Sequence, residues 1–269
     1  MTELPASLPG YALLPNRTVG AGSEATVTLA IDRKRLVTVA LKVHRKSGKT
    51  APKLRGMRNE ALVLLVGLSS HPNIVRAFGE AETAEYFALA LEYAPMGDLF
   101  TAVLSRGRLE EWRAADIGAQ IADGLAHVHA CGFVHNDLKL DNVLVFDEGR
   151  RVKLSDFGFV APIDRPNSAY GQNDACGSPD YAAPEVWFRS GRRGASADVW
   201  AFAVVLYAMV TGNFPFQLSE DALVGRFMPP KGASEQFYSL VEYAFEPNKW
   251  NRPTLAQLRD HAWFKVHGK

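Results

Sequence analysis

Cysteine is scarce in this chain: Cys131 and Cys176 are the only two in 269 residues, and they lie far apart. A disulfide framework is therefore excluded, and a reducing compartment is indicated. Charge of one sign is also missing. Thirty Lys and Arg meet 29 Asp and Glu, a formal charge of +1, so the balance calls for neither nucleic acid nor an acidic membrane surface. Long hydrophobic runs are absent too. The longest, residues 200–210, is well short of the roughly 20 residues that span a bilayer and reads as a buried core helix. Residues 1–10 have no basic start and no apolar centre, so no signal peptide is expected. There is no internal repeat and no low-complexity stretch. What the chain does have is 47% hydrophobic residues, enough for one large domain or for two small lobes sharing a cleft. The expectation is a soluble, intracellular, cytoplasmic monomer, with the nucleus left open.

Patterning divides the chain into two parts. Residues 1–12 read as a loose, proline-bearing leader, and 13–267 as the folded domain. Segments 13–19, 25–31 and 36–44 are rich in Val, Thr, Leu and Ala and read as strands, with the glycine turn Gly20-Ala21-Gly22 between the first two. Residues 53–68 carry Leu54, Met57, Ala61, Leu64 and Leu65 at helical spacing. Two more strands fit 74–78 and 86–92. After Pro95-Met96-Gly97 the pattern turns helical, with Ile117, Ile121, Leu125 and Val128 on one face of a helix over 112–131. A hairpin over 142–146 and 152–155 turns at Asp147-Glu148-Gly149. Residues 157–182 read as loop, and helices resume at 197–211. The fold class is α+β: an antiparallel sheet lobe with one main helix (about 13–93) joined to a larger helical lobe (about 94–267). Ligands sit in the cleft between such lobes.

The first chemical signal is Val19-Gly20-Ala21-Gly22-Ser23-Glu24-Ala25-Thr26-Val27. Glycines in a strand–turn–strand let backbone N–H groups approach phosphate oxygens. Taken alone, the stretch reads as an ordinary hairpin. A dinucleotide fold is disfavoured because the turn leads into a strand and not a helix. The second signal is Lys42 in Val39-Ala40-Leu41-Lys42. Strand alternation puts Ala40 and Lys42 on one face, with Val39, Leu41 and Val43 on the other. A long cation beneath a phosphate loop needs a carboxylate to hold it. Glu60, mid-helix in the next element, is the only acidic residue between Asp32 and Glu80. A solvated Lys or a solvated Glu is the commoner fate of either alone; their joint placement favours a pair.

The third signal is His135-Asn136-Asp137-Leu138-Lys139-Leu140-Asp141-Asn142, followed by Asp156-Phe157-Gly158. These strings resemble the catalytic loop and metal-binding motif of eukaryotic protein kinases. The resemblance runs from about residue 11 to the last helix. Ala183-Pro184-Glu185 stands where the family closes its activation segment. Asp198-Val199-Trp200 opens the long buried helix, and Arg252 falls where the family places the partner of Glu185. The resemblance implies a bilobal kinase fold and an enzyme that uses ATP and Mg2+ to phosphorylate protein substrates. Asp137 would orient the acceptor hydroxyl and take its proton, and Lys139 would steady the γ-phosphate. Lys42 with Glu60 would hold the α- and β-phosphates, and Asn142 and Asp156 would hold magnesium. Val27, Ala40 and Leu144 would enclose the adenine. Leu91 would be the gatekeeper, Glu92 to Ala94 the hinge, and Asp98 a ribose partner. Lys139 implies a Ser/Thr acceptor, because tyrosine kinases place Arg or Ala near that position. The alternative is a catalytically weak pseudokinase that binds ATP and a partner protein.

Departures from the family pattern are few. Asn136 stands where many members have the Arg that receives an activation-loop phosphate, which predicts little dependence on phosphorylation at Ser168, Tyr170 or Ser178. Arg165 is a second possible source of that charge. Ala25 replaces a loop glycine, Ser178 a common Thr, and Ala201 and Ala203 a usual Ser and Gly. The strings at 92–100, 151–158, 198–202 and 211–215 resemble the SH3-binding kinase group, although the sequence holds no PxxP-rich stretch. Asp98 and Asp141 lie near where the family binds residues preceding the acceptor, which predicts a mild preference for basic ones. His127 and His129 read as packing or solvated rather than as metal ligands. Nothing visible activates Cys176. Arg189, Arg192 and Arg193 read as a solvated cluster, with a docking patch for an acidic partner as the alternative.

Overall fold

Alternation of apolar and polar residues builds the first part of the chain into a sheet. In the computed structural model, which describes residues 4–5, 7–22, 25–164, 178–187 and 194–268, the strands are β1 (Tyr11–Ala21), β2 (Thr26–Asp32), β3 (Val37–Arg45), β4 (Ala77–Glu82) and β5 (Tyr86–Glu92). They pair antiparallel in the order β1-β2-β3-β5-β4. The outer face packs Val39, Leu41 and Val43 with Ala88 and Ala90, beneath Leu8, Tyr11 and Leu4. The inner face presents Leu89 and Leu91 to the main core, where Met57, Ala61 and Leu64 of α1 (Ala51–Val66) join them.

Several boundaries differ from the sequence reading, and three of the differences have a local reason. β1 starts at Tyr11 and not at 13, because Leu8, 3% exposed, folds back to bridge Tyr11 and covers the outer face. Leu36 is 80% exposed at φ 58° and belongs to the turn before β3, where the Asp32 carboxylate accepts the N–H groups of Lys34 and Arg35. The strand expected at 74–78 begins at Ala77. Ile74 and Val75 are fully buried, but they serve contacts between lobes: Val75 N donates to Leu154 O, and Leu154 N donates to Asn73 O.

The second part is helical. Asp98 caps α2 (Leu99–Arg106) by accepting from Thr101 N at 2.7 Å. α3 (Glu111–Ala130) turns Ile117, Ile121, Leu125 and Val128 inward, and it packs on α5 (Ala195–Thr211), from Val199 to Val210 buried on every side. Between them α4 (Pro184–Trp187) begins with two buried residues; α6 (Ser219–Leu223), α7 (Glu235–Ala244), α8 (Leu255–Arg259) and α9 (Ala262–His267) complete the lobe. Two small ribbons sit at the junction: β6 (Phe133–Val134) with β9 (Ala161–Pro162), and the expected hairpin β7 (Val143–Phe146) with β8 (Arg151–Leu154). Gly124 of α3 lets the lobes approach; a Cβ there would come within 2.9 Å of Asn73 O.

That junction carries a titratable pair. The His71 and His127 rings stack at 4.9 Å between centroids, and His71 Nδ1 accepts from Asn73 N at 3.2 Å. Burial, then the neighbouring His127, holds the His71 pKa below its usual value, with Asp123 opposing. The unfolded chain therefore takes up this proton first, and the stability contribution is lost as pH falls below about 6.5. Denaturation midpoints should drop between neutral pH and mild acid, and the drop should be smaller in His71→Gln. Equal drops in the two proteins would contradict this.

Candidate active site

The inner face of β3 aims Lys42 into the cleft between the lobes. Its Nζ donates to both Glu60 oxygens at 2.8 Å and to Asp156 Oδ1 at 2.7 Å. The cation thus ties β3, α1 and the 156–158 turn together. Glu60 is 1% exposed, and burial pushes its carboxyl upward against the opposing pull of Lys42. Burial works against the Lys42 charge as well, but the two carboxylates outweigh it and raise its pKa. At Asp156 burial again raises, while the charge and hydrogen bond of Lys42, with the Gly158 N–H, bring the carboxyl down to about 2. Asp156 takes a left-handed backbone at φ 57°, and its side chain stays 42% exposed on the cleft side of the ion pair.

Opposite this cluster, Asp137 is 6% exposed and its carboxylate is held by three neighbours. Ser178 N and Oγ donate to its Oδ1 at 3.0 and 3.3 Å. Asn142 Nδ2 donates to its Oδ2 at 3.0 Å, and Lys139 Nζ lies 3.4 Å from the same oxygen. Lys139 also donates to Ser178 Oγ at 2.9 Å. Asn142 Nδ2 donates a second time, to Asp137 O at 2.8 Å. This double use fixes the amide orientation and leaves Asn142 an oxygen to offer, the donor a hard cation takes. Asn142 and Asp156 therefore fit a magnesium ion by donor chemistry. Among the described residues, no group of three or more His, Cys, Asp or Glu could hold a metal, so further ligands would have to come from bound phosphate or water.

The loop bearing Asp137 hangs from residues that the sequence reading did not assign to the site. Asp198, 1% exposed, accepts from His135 N and Asn136 N at 2.9 Å each. His129 Nε2 meets the same carboxylate at 2.8 Å. Burial raises the Asp198 pKa, but these partners, His129 foremost, bring it below the usual range. His135 donates from Nε2 to Ser155 O and accepts from Asp137 N at Nδ1, which fixes its neutral tautomer. Of the two histidines, His127 packs as expected, stacked on His71 with Cys131 Sγ 3.6 Å from its Nε2, while His129 does more than pack, because it holds Asp198. Asp198 had a sequence signal, as the one acid in the apolar stretch 195–211.

Most of the remaining expected residues fall on β1, β2, β3, β5 and β7 or just after β5. Ala40 and Leu91 are register partners on β3 and β5, both 8% exposed. Val27 and Leu144 are half-buried, and Leu144 bridges Asp98. Gly22 N donates to Ala25 O, closing the turn after β1, with Val19 and Ala21 exposed and Gly20 against Val27. Thr26 is buried at the start of β2. Ser23 and Glu24 lie outside the described residues. Glu92 pairs with Lys153 at 2.6 Å, and Ala94 O accepts from Gly97 N. One Asp98 oxygen caps α2. Asp141 is exposed. The Glu185 partner is as expected: Arg252 binds it with two bonds of 2.9 and 3.0 Å. Arg165, Ser168, Tyr170, Cys176, Arg189, Arg192 and Arg193 lie outside the described residues.

Comparison with known proteins agrees with this geometry. A family model described as "Protein kinase domain" matches residues 14–264. The chain is 33% identical over 255 residues to CBL-interacting serine/threonine-protein kinase 17 of Arabidopsis thaliana, covering 93% of this chain and 59% of that protein. It is 34% identical over 258 residues to serine/threonine-protein kinase SIK1 of Mus musculus, covering 93% of this chain and 32% of that protein. The chain thus spans less than two thirds of the length of each of these relatives.

Proposed function

The chain belongs to the protein kinase domain family, and from that premise we propose that it transfers the γ-phosphoryl group of ATP to Ser or Thr hydroxyls of protein substrates. The observation that carries the reading is the Lys42–Glu60–Asp156 cluster facing Asp137, Lys139 and Asn142 across one cleft. Phosphoryl transfer passes through a loose, highly charged transition state, so positioning and neutralisation are the main tasks. Lys42, held by Glu60, binds α- and β-phosphate oxygens. Asn142 and Asp156 would hold magnesium, which would supply neutralisation of phosphate charge. Asp137 orients the acceptor hydroxyl and accepts its proton, and Lys139 steadies the γ-phosphate. The 19–27 turn covers the phosphates, Val27, Ala40, Leu91 and Leu144 enclose the base, and the backbone of Glu92 and Ala94 meets its edge. The free Asp98 oxygen serves the ribose.

Residues 13–267 form the catalytic domain on this reading, divided near 93. Complete retention of the six charged and amide groups supports an enzyme over a scaffold. Lys139 supports Ser/Thr over Tyr. The strings at 92–100 and 151–158 support a placement near the SH3-binding kinase group. A positional peptide library tests acceptor and preference together. The expected product is phosphoserine or phosphothreonine, with Arg or Lys favoured before the acceptor through Asp98 and Asp141; predominant phosphotyrosine would overturn the acceptor assignment.

Regulation follows from Asn136. It is neutral, its Nδ2 donates to Phe159 O at 3.0 Å, and its N–H is held by Asp198. A loop phosphate orders a segment only where a cation meets it, and position 136 offers none. Phosphatase treatment, Ser168→Ala and Tyr170→Phe should each change kcat/KM by less than about tenfold, or roughly 1.4 kcal/mol. A larger loss would show that another cation receives the phosphate.

A further inference from the structure

The overall charge of +1 conceals an uneven distribution. Residues 1–93 carry 12 Lys and Arg against 8 Asp and Glu, and residues 94–269 carry 18 against 21. Part of the excess is gathered on one turn. Between β2 and β3 the chain reads Asp32-Arg33-Lys34-Arg35-Leu36-Val37, and every residue from 33 to 38 is exposed. Leu36 is 80% exposed and Val37 41%. Arg76 extends the cluster: Arg35 and Arg76 both lie over the Phe78 ring, 5.6 and 5.4 Å from its centroid. The acids at this end of the sheet are engaged. Asp32 is buried and bound by Arg35 at 2.6 Å, and Glu92 is bound by Lys153 at 2.6 Å.

The turn is built to hold its shape. The Asp32 carboxylate accepts from Lys34 N at 2.9 Å and from Arg35 N at 3.0 Å. Asp32 O accepts from Leu36 N at 2.8 Å, and Gly10 O accepts from Arg33 N at 3.0 Å. Leu36 takes a left-handed backbone at φ 58°, which Gly or Asn adopts at lower cost. Its side chain stands mostly in solvent, so folding gains little from a leucine there. A residue kept in a disfavoured conformation without a packing return points to a use outside the fold.

Shape and charge together identify that use. The tip is convex, with two apolar side chains at the apex and cations around them. An extended acidic peptide docks in a groove or along a sheet edge, and a four-residue turn offers neither. A second copy of this chain would set cations against cations. An anionic bilayer surface needs no concavity: its headgroups attract the cations, and its acyl boundary takes the apolar apex. Among the described residues no helix is long and apolar enough to cross a membrane, so the contact is peripheral.

We propose that the β2–β3 turn, with Arg33, Lys34, Leu36 and Val37 at its tip and Arg35 and Arg76 beside it, is a peripheral docking point for an anionic membrane surface. This goes beyond the kinase reading and does not rest on it.

The test is sedimentation of the full chain with vesicles of phosphatidylcholine alone and of phosphatidylcholine mixed with phosphatidylserine. Binding should favour the mixed vesicles and weaken with added salt. Arg33→Glu/Lys34→Glu should lower partitioning by at least about fivefold, the loss expected for one cation at such a surface. Leu36→Asn should also lower it, without lowering the melting temperature, because Asn suits the left-handed backbone. Arg45→Glu/Arg55→Glu makes the same charge change at exposed positions away from the turn, Arg45 being at the far end of β3, and should leave most of the binding in place. Equal binding to the two kinds of vesicle, or tip variants that bind like wild type, would overturn the proposal. So would an equal loss in Arg45→Glu/Arg55→Glu, which would make the attraction a property of the whole lobe. Leu36-dependent binding of a polyglutamate peptide by a chain that ignores the vesicles would assign the tip to a protein partner and overturn it as well.

Discussion

Asp137→Asn lowers kcat by at least about 100-fold, the lower end of what a positioned general base contributes, while ATP affinity changes little. The substitution keeps the shape of the side chain. An amide oxygen can still accept from Ser178 N, now at 3.0 Å from Oδ1, so the loop 135–142 should stay in place. The amide nitrogen, however, cannot accept the acceptor proton, and it would face the donors Asn142 Nδ2 and Lys139 Nζ that now meet Oδ2 at 3.0 and 3.4 Å. ATP, by contrast, would on the proposed reading meet Lys42, whose charged partners are Glu60 and Asp156 and not Asp137. The measurement is kcat beside the nucleotide dissociation constant, with a thermal melt to confirm folding. A kcat within about tenfold of wild type, or equal losses in kcat and nucleotide affinity, would contradict the role of Asp137.

Arg252→Ala should destabilise the fold by about 3–5 kcal/mol, because it leaves a buried carboxylate without its partner. The Arg252 side chain is 0% exposed and that of Glu185 7%. The guanidinium also donates to Glu246 O, Ser196 O and Pro247 O, and it lies over the Trp200 ring at 4.9 Å. Truncation would orphan all of these acceptors together. For a chain of this size the melting temperature should fall by roughly 10 °C. Glu185→Leu in the Arg252→Leu background should cost less than the sum of the two single changes, since removing both charges ends the uncompensated burial. Additive losses would mean that the pair contributes through packing alone.

Much of this site was legible in the sequence because its chemistry forces residue types into fixed spacings. Lys42 on an alternating strand, and Glu60 as the one acid in a long basic stretch, could be paired before any coordinates, and they meet at 2.8 Å. The loop at 135–142 and the turn at 156–158 were readable as strings. What escaped was long-range. Asp198 reaches back 63 residues to hold His135 N, and no local pattern says which backbone N–H a buried carboxylate will find. The two-residue ribbon of β6 and β9 is too short for periodicity to register. Ile74 and Val75 read as strand because they are apolar and branched, yet they are spent on the contact between lobes. Local propensity gives way there to tertiary packing.

The most direct test is transfer of labelled γ-phosphate from ATP to a generic protein substrate by the purified chain, with and without magnesium. The account predicts magnesium-dependent transfer onto serine or threonine by wild type and its loss in Asp137→Asn. Folded wild-type protein that binds ATP yet is as inert as Asp137→Asn would contradict it and leave a nucleotide-binding scaffold in its place.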